Sequence, residues 1–222
     1  MSVICYETKT PKLSRSELDA WADVPAAVAS DCLNRSQAMV GAIKPLATSM
    51  RIIAQARTVA CMVADNSALH AAIGQCERGE VLVCDGQAYQ DTALFGGLMT
   101  RSALLHGIAG LVIDGAVRDS LEIISSGFPC FARAVVPAGP HKGFGGKIDG
   151  SISCGGVSVS PGDLIVADAD GVTVVPFSRI NETLEAANAV MAKEEDALRS
   201  LAEGRSLADV YGVPEVIMVP AE

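Results

Sequence analysis

The chain has 222 residues, of which 50% are hydrophobic and only 4% aromatic. That is ample for one domain with a core of Ala, Val, Leu and Ile, and it excludes a disordered chain. With 17 Lys and Arg against 26 Asp and Glu, the formal net charge is −9, and no basic tract is present to meet a phosphate backbone, so nucleic acid is not expected as a partner. In chain order, Ser14 or Ser16 caps a turn carrying Leu18 and Trp21. Val24-Pro25 then leads into a helix over 26–33, with Pro suited to a first turn. Residues 34–45 read as a connection, and 50–64, rich in β-branched and small residues, as a long bent strand. Asn66-Ser67 caps a helix that runs to about Cys76.

Two similar units follow. Residues 80–84 (EVLVC) form a buried strand ending at Asp85-Gly86, and a loop leads to Gly96-Gly97 and a helix from Leu98 to His106, stopped by Gly107. Residues 110–113 (GLVI) form a second buried strand ending at Asp114-Gly115, followed by a helix over 118–126 stopped by Gly127. Strand, Asp-Gly, loop and helix, given twice, predict parallel βαβ packing. From Phe131 the pattern turns to β: a strand over 131–139, then a glycine-rich loop and short strand over 143–156. Strands over 164–167 and 172–175 flank a hairpin at Asp168-Ala169-Asp170-Gly171. The stretch 179–202 is a long amphipathic helix with Ile180, Leu184, Ala187, Met191, Leu198 and Leu201 on one face. These elements make one α/β domain with a central β layer and helices outside it.

Mean hydropathy is +0.33, yet the longest stretch free of Asp, Glu, Lys and Arg is the Ser- and Gly-rich 150–162, far short of a spanning helix. No membrane partner is expected. The first residues lack the cationic start and apolar run of a signal peptide. The 7 cysteines are odd in number and include no CxxC pair, which fits reduced thiols and a cytoplasmic location.

Two loops follow apolar strands and precede helices, the position where α/β folds bind ligands. In Phe95-Gly96-Gly97-Leu98-Met99, the paired glycines and free N–H groups at a helix start favour an anion such as a carboxylate, or serve only a tight turn. In Asp114-Gly115-Ala116-Val117-Arg118-Asp119, a buried strand delivers three charges that must pair or bind something. Arg118 offers fork donors to a carboxylate or carbonyl oxygen, and Asp119 suits a hard divalent cation; an ion pair tying the loop down reads equally well. Gly143–Gly146 (GFGG) lacks the Walker spacing and reads as a mobile loop. His70, His106 and His141 have no metal-ligand spacing, and no GxGxxG or GxSxG motif occurs.

The stretch ALFGGLMTRSALLHGIAGLVIDGAVRDSLEI (93–123) strongly resembles the family joining the regulators of ribonuclease activity A to the 4-hydroxy-4-methyl-2-oxoglutarate and 4-carboxy-4-hydroxy-2-oxoadipate aldolases. ADADGVTVVP (167–176) and the terminal KEED…LAEG helix resemble it too. The resemblance implies one swivelling β/β/α-type domain over 1–222, assembled as a homotrimer or a hexamer with sites shared between chains. It implies a pyruvate aldolase dependent on Mg2+ or Mn2+ and belonging to aromatic degradation, with oxaloacetate decarboxylation as a side activity. In such a site the backbone N–H groups of Gly96, Gly97, Leu98 and Met99 take the pyruvyl carboxylate. Arg118 binds the C2 oxygen, Asp119 anchors the metal, and an acidic residue of the last helix, Glu194 or Glu195, reaches a neighbour's site, with Asp31 as a further candidate. The aldolases often carry Asp or Glu where this chain has Gly97, so Gly97→Asp is expected to raise cleavage. The regulators typically replace the Asp after the Arg, whereas this chain keeps Arg118-Asp119. The alternative implied is a non-catalytic, protein-binding regulator of the ribonuclease E type.

Overall fold

A computed structural model describes residues 2–219. The elements, in chain order, are β1 (Val3–Cys5), α1 (Arg15–Asp19), α2 (Ala26–Cys32), β2 (Lys44–Pro45), β3 (Ile52–Cys61), α3 (Ser67–Gln75), β4 (Val81–Asp85), β5 (Ala93–Phe95) and α4 (Gly97–His106). They continue as β6 (Gly110–Val117), α5 (Ser120–Ser125), β7 (Cys130–Val135), β8 (Gly146–Ile148), β9 (Ile152–Cys154), β10 (Val157–Val159), β11 (Leu164–Asp168), β12 (Gly171–Val175), α6 (Ile180–Ala202) and α7 (Leu207–Tyr211). No helix among the described residues is long and apolar enough to cross a membrane.

Strands β3, β4, β6 and β7 pair in parallel, in that spatial order. The two Asp-Gly units therefore stand side by side, as their repeated pattern predicts. Strands β4 and β6 are buried on both faces, which is why VLVC and GLVI read as unbroken apolar runs. Alternation sorts the side chains. Leu82 and Cys84 of β4, with Leu111 and Ile113 of β6, face α3, α4 and α5, whereas Val81, Val83 and Val112 face the hairpins on the other side. The β11–β12 hairpin repeats the arrangement one layer further out. Ile165 and Ala167 face the parallel sheet, and Leu164 and Val166 face Trp21, α2 and α6. The result is four layers: helices, sheet, hairpins, helices.

Local chemistry sets the ends of the elements. Ser14, rather than Ser16, caps α1 in a capping box with Glu17. Pro25 has no side-chain cap to offer α2, and Asp168 supplies one from the distant hairpin, accepting the Ala26 N–H at 2.8 Å. Gly107 closes α4 in the left-handed conformation at φ 74°. Two expectations are corrected here. Leu198 is 65% exposed, because the second half of α6 leaves the body and only Ala197 is buried there. The strand read as 110–113 runs on to Val117. It does so through a bulge: Ile113 pairs with Ala132 and Ala116 with Ala134, so three steps on β6 match two on β7.

The bulge is pinned by Asp114, which is 6% exposed, pairs with Arg133 and accepts the Gly155 N–H at 2.8 Å. Asp114 thus binds protein and leaves Arg118 and Asp119 as the charges that continue into the next loop. Arg133→Ala strands a buried carboxylate. We expect a loss of about 3–5 kcal/mol, read as a lower urea midpoint at unchanged slope; an unchanged midpoint would refute this role for Asp114.

Candidate active site

The ends of β5 and β6 lie together, and α4 and α5 start from them. The Arg118 N–H donates to the Phe95 carbonyl at 2.9 Å, locking the two loops in register. Asp119 then takes the left-handed conformation at φ 56°, ψ 37°, a cost that Asp tolerates better than most residues. This turn sends its carboxylate back to the other loop, where Oδ2 accepts the Gly97 N–H at 2.9 Å. The two glycine and Arg-Asp loops of the sequence are therefore halves of one structure.

The glycines are there for space. Gly96 has extended backbone, but a Cβ on it would stand 2.7 Å from Asp119 Oδ2 and 2.9 Å from Arg118 Cγ. A Cβ at Gly139 would stand 2.7 Å from Arg118 Nη1. Arg118 thus lies in a slot between two backbone segments. Its contact with Asp119, Nε to Oδ2, is 3.6 Å with both side chains 44% exposed. A pair so long and so wet contributes little to stability, so the loop-tying ion pair is not what holds this turn.

A cavity of about 310 Å³ opens beside these residues. It collects Gly96, Gly97, Leu98, Met99, Arg118 and Asp119, the site residues expected within one chain. Leu98 and Met99 lie in the first turn of α4, where the backbone N–H groups have no intrahelical acceptor. The Leu98 side chain is 82% exposed and the Met99 side chain is buried. Glu194 is exposed on α6, and Asp31, near the end of α2, pairs at 3.0 Å with Arg35 in the turn that follows; neither lines this cavity.

The structure adds residues that the sequence reading missed. Asn66, His70, Lys142, Arg101 and Glu122 all line the cavity. Asn66, read as a helix cap, makes no cap bond; Asp65 accepts the Ser67 N–H at 2.9 Å instead. The Asn66 amide is turned inward. Nδ2 donates to the Leu94 carbonyl at 2.9 Å and to Met99 Sδ at 3.3 Å, bracing the strand and helix around Gly96, while buried Oδ1 has no partner. Asn66 and His70 sit four apart across the start of α3, a spacing that could have drawn attention to them. The GFGG segment after Lys142 is tied to the start of α3 by two bonds: the Gly143 N–H donates to Ser67 Oγ at 2.7 Å and the Phe144 N–H to Asp65 Oδ2 at 3.2 Å. Burial raises the Asp65 carboxyl, but the bonds from Ser67, Phe144 and Gly143 outweigh it and hold the group below its ordinary range.

A second cleft, lined by Lys12, Arg57, Glu80 and Asp149, is smaller, at about 130 Å³. Its charges satisfy one another, with Arg57 3.3 Å from both Glu80 and Asp149, and Lys12 on Glu80.

Known proteins match this architecture. The family model described as RraA-like, Aldolase/RraA, matches residues 24–174. The chain is 36% identical over 194 residues to the "Putative 4-hydroxy-4-methyl-2-oxoglutarate aldolase" of Halalkalibacterium halodurans, across 86% of this chain and 92% of that one. Among solved structures it is similar to an uncharacterized protein from Pseudomonas syringae pv. tomato, with TM-score 0.79 and 26% identity over 90% of this chain and 99% of the other. It is also similar to the RNA-processing inhibitor RraA from Thermus thermophilis, with TM-score 0.64 and 30% identity over 69% and 93%.

Proposed function

Because the chain belongs to the Aldolase/RraA family, we propose that it is a divalent-metal-dependent aldolase. Its substrate in this reading is a 4-hydroxy-2-oxo diacid such as 4-hydroxy-4-methyl-2-oxoglutarate or 4-carboxy-4-hydroxy-2-oxoadipate, cleaved to pyruvate and a second keto acid. The observation that supports it is the convergence, in one cavity, of the free first-turn amides of α4 with Arg118 and Asp119.

Asp119 is chemically suited to Mg2+ or Mn2+. Its Oδ1 makes no hydrogen bond among the described residues, and it is a hard oxygen open to the cavity. No group of three or more His, Cys, Asp or Glu side chains able to hold a metal occurs among the described residues; Mg2+ usually keeps several waters and binds proteins through one or two carboxylates. When bound, the ion supplies Lewis-acid stabilisation of oxygen charge. The Leu98 and Met99 amides, helped by the α4 dipole, hold the 1-carboxylate. The Arg118 guanidinium faces the C2 oxygen and is strongest on it when that oxygen carries enolate charge. Oxaloacetate would pass through the same enolate, giving the side activity.

A coupled assay for pyruvate tests the proposal. Release should require Mg2+ or Mn2+ and stop with chelator; no release from either diacid or oxaloacetate would overturn it. The likeness to the RNA-processing inhibitor RraA from Thermus thermophilis favours a second reading, a protein-binding regulator with an acidic surface. That reading expects no metal-dependent pyruvate at all.

Leu98, which lines the cavity, and Leu105 and Leu121, on α4 and α5, are 82%, 83% and 81% exposed. Large apolar side chains grouped this way support a homotrimer or hexamer, in which Glu194 of one chain reaches another's site. Light scattering at micromolar protein should give a multiple of 22.9 kDa; the single-chain mass would refute it.

A further inference from the structure

Gly97 begins α4 with ordinary helical backbone, so nothing in its conformation requires glycine. What its missing side chain provides is room, and that room is filled. A Cβ at position 97 would stand 2.3 Å from Glu122 Oε2 and 2.6 Å from Glu122 Cδ. Glu122 comes from α5, one turn beyond Asp119, and bends in over the start of α4 instead of extending into water. Arg101, one turn along α4, holds it there with Nη2 at 2.6 Å from Oε1, leaving the side chain 40% exposed. Arg101, Glu122, Arg118 and Asp119 all line the same cavity.

We propose that Glu122 is the acid–base residue of this cavity, delivered from α5 into the space that a side chain at position 97 would take, with Arg101 as its positioning residue. This rests on the aldolase reading. In that reaction the C4 hydroxyl loses its proton to the Glu122 carboxylate as the C4=O bond forms. The C3–C4 bond breaks, and its electron pair makes the C2–C3 enolate. The proton returns from Glu122 to C3, the C2=O bond is restored, and pyruvate results with no other reactant. The carboxylate that the sequence places nowhere in the glycine loop is thus present, carried by the opposite helix. Gly97→Asp alone forces two carboxylates into one space, so in place of the rise expected from sequence we expect unchanged or lower turnover.

The test compares the parent with Glu122→Gln, Glu122→Ala and Gly97→Asp/Glu122→Ala. It measures kcat and KM for pyruvate release, and calorimetric binding of pyruvate in the presence of Mn2+. Glu122→Gln, nearly isosteric, should lower kcat by about 10²- to 10⁴-fold while pyruvate binding stays close to that of the parent. The double variant should recover turnover relative to Glu122→Ala, because an acid at position 97 re-enters the vacated space. A structural role for Glu122 would instead weaken binding and turnover together, without rescue. An active parent whose Glu122→Gln variant keeps its kcat, or a double variant no better than Glu122→Ala, overturns this proposal alone; a parent that releases no pyruvate overturns the aldolase reading along with it.

Discussion

Replacing Asp119 with asparagine is expected to abolish metal-dependent pyruvate release and leave the fold standing. Asparagine tolerates the left-handed backbone at φ 56° and keeps an acceptor for the Gly97 N–H, so the turn between β6 and α5 survives. What it removes is the negative charge. Asp119→Ala is the less clean variant, since alanine in that conformation costs about 1–2 kcal/mol and leaves the Gly97 amide without its partner. The check is a pair of melting curves with and without Mg2+. An ion that binds only the native state raises the parent's Tm, and the Asp119→Asn curve should not move. Full activity of this variant with Mg2+ would remove Asp119 from the site.

Arg118→Ala should lower kcat by about 10²- to 10³-fold, the size of a lost oxyanion donor at roughly 2.7–4 kcal/mol, and raise KM much less. The geometry makes this separable from a stability effect. The guanidinium is 44% exposed and 3.6 Å from Asp119, so the melting point should change little. Arg118→Lys should restore little of the lost rate, because an ammonium cannot present the planar fork. A large drop in Tm with kcat intact would show the side chain to be structural.

The parts of this molecule that were legible in the sequence are those whose causes are local. The runs EVLVC and GLVI announce strands covered on both faces, and Gly107 and Gly127, both left-handed, mark the ends of α4 and α5. Gly96, Arg118 and Asp119 could be picked out because each stands where a strand gives way to a helix. The rest of the cavity depends on contacts made at long range. Asn66 looks like a cap until the chain brings Leu94 and Met99 to its amide. Glu122 lies in SLEIIS, where a glutamate has the pattern of any solvated helix position, and only the docking of α5 on α4 turns it inward. The full length of β6 is hidden in the sequence for a related reason. Asp114-Gly115 has the composition of a turn, and the burial of Asp114 against Arg133 and Gly155 keeps it in the strand.

The bond from the Gly97 amide to Asp119 also binds two equilibria together. One atom, Oδ2, anchors the start of α4, the helix proposed to take the anion, and belongs to the carboxylate proposed for the cation. A cation that draws on that oxygen alters how firmly the amides of α4 are held, and an anion settling on those amides alters what the oxygen can offer. By linkage the two effects are equal: whatever factor the cation applies to the affinity for a 2-oxo acid, the acid must apply to the affinity for the cation. On the proposed assignment, substrate and metal would sit at two ends of one hydrogen-bonded turn, each setting the terms on which the other is held.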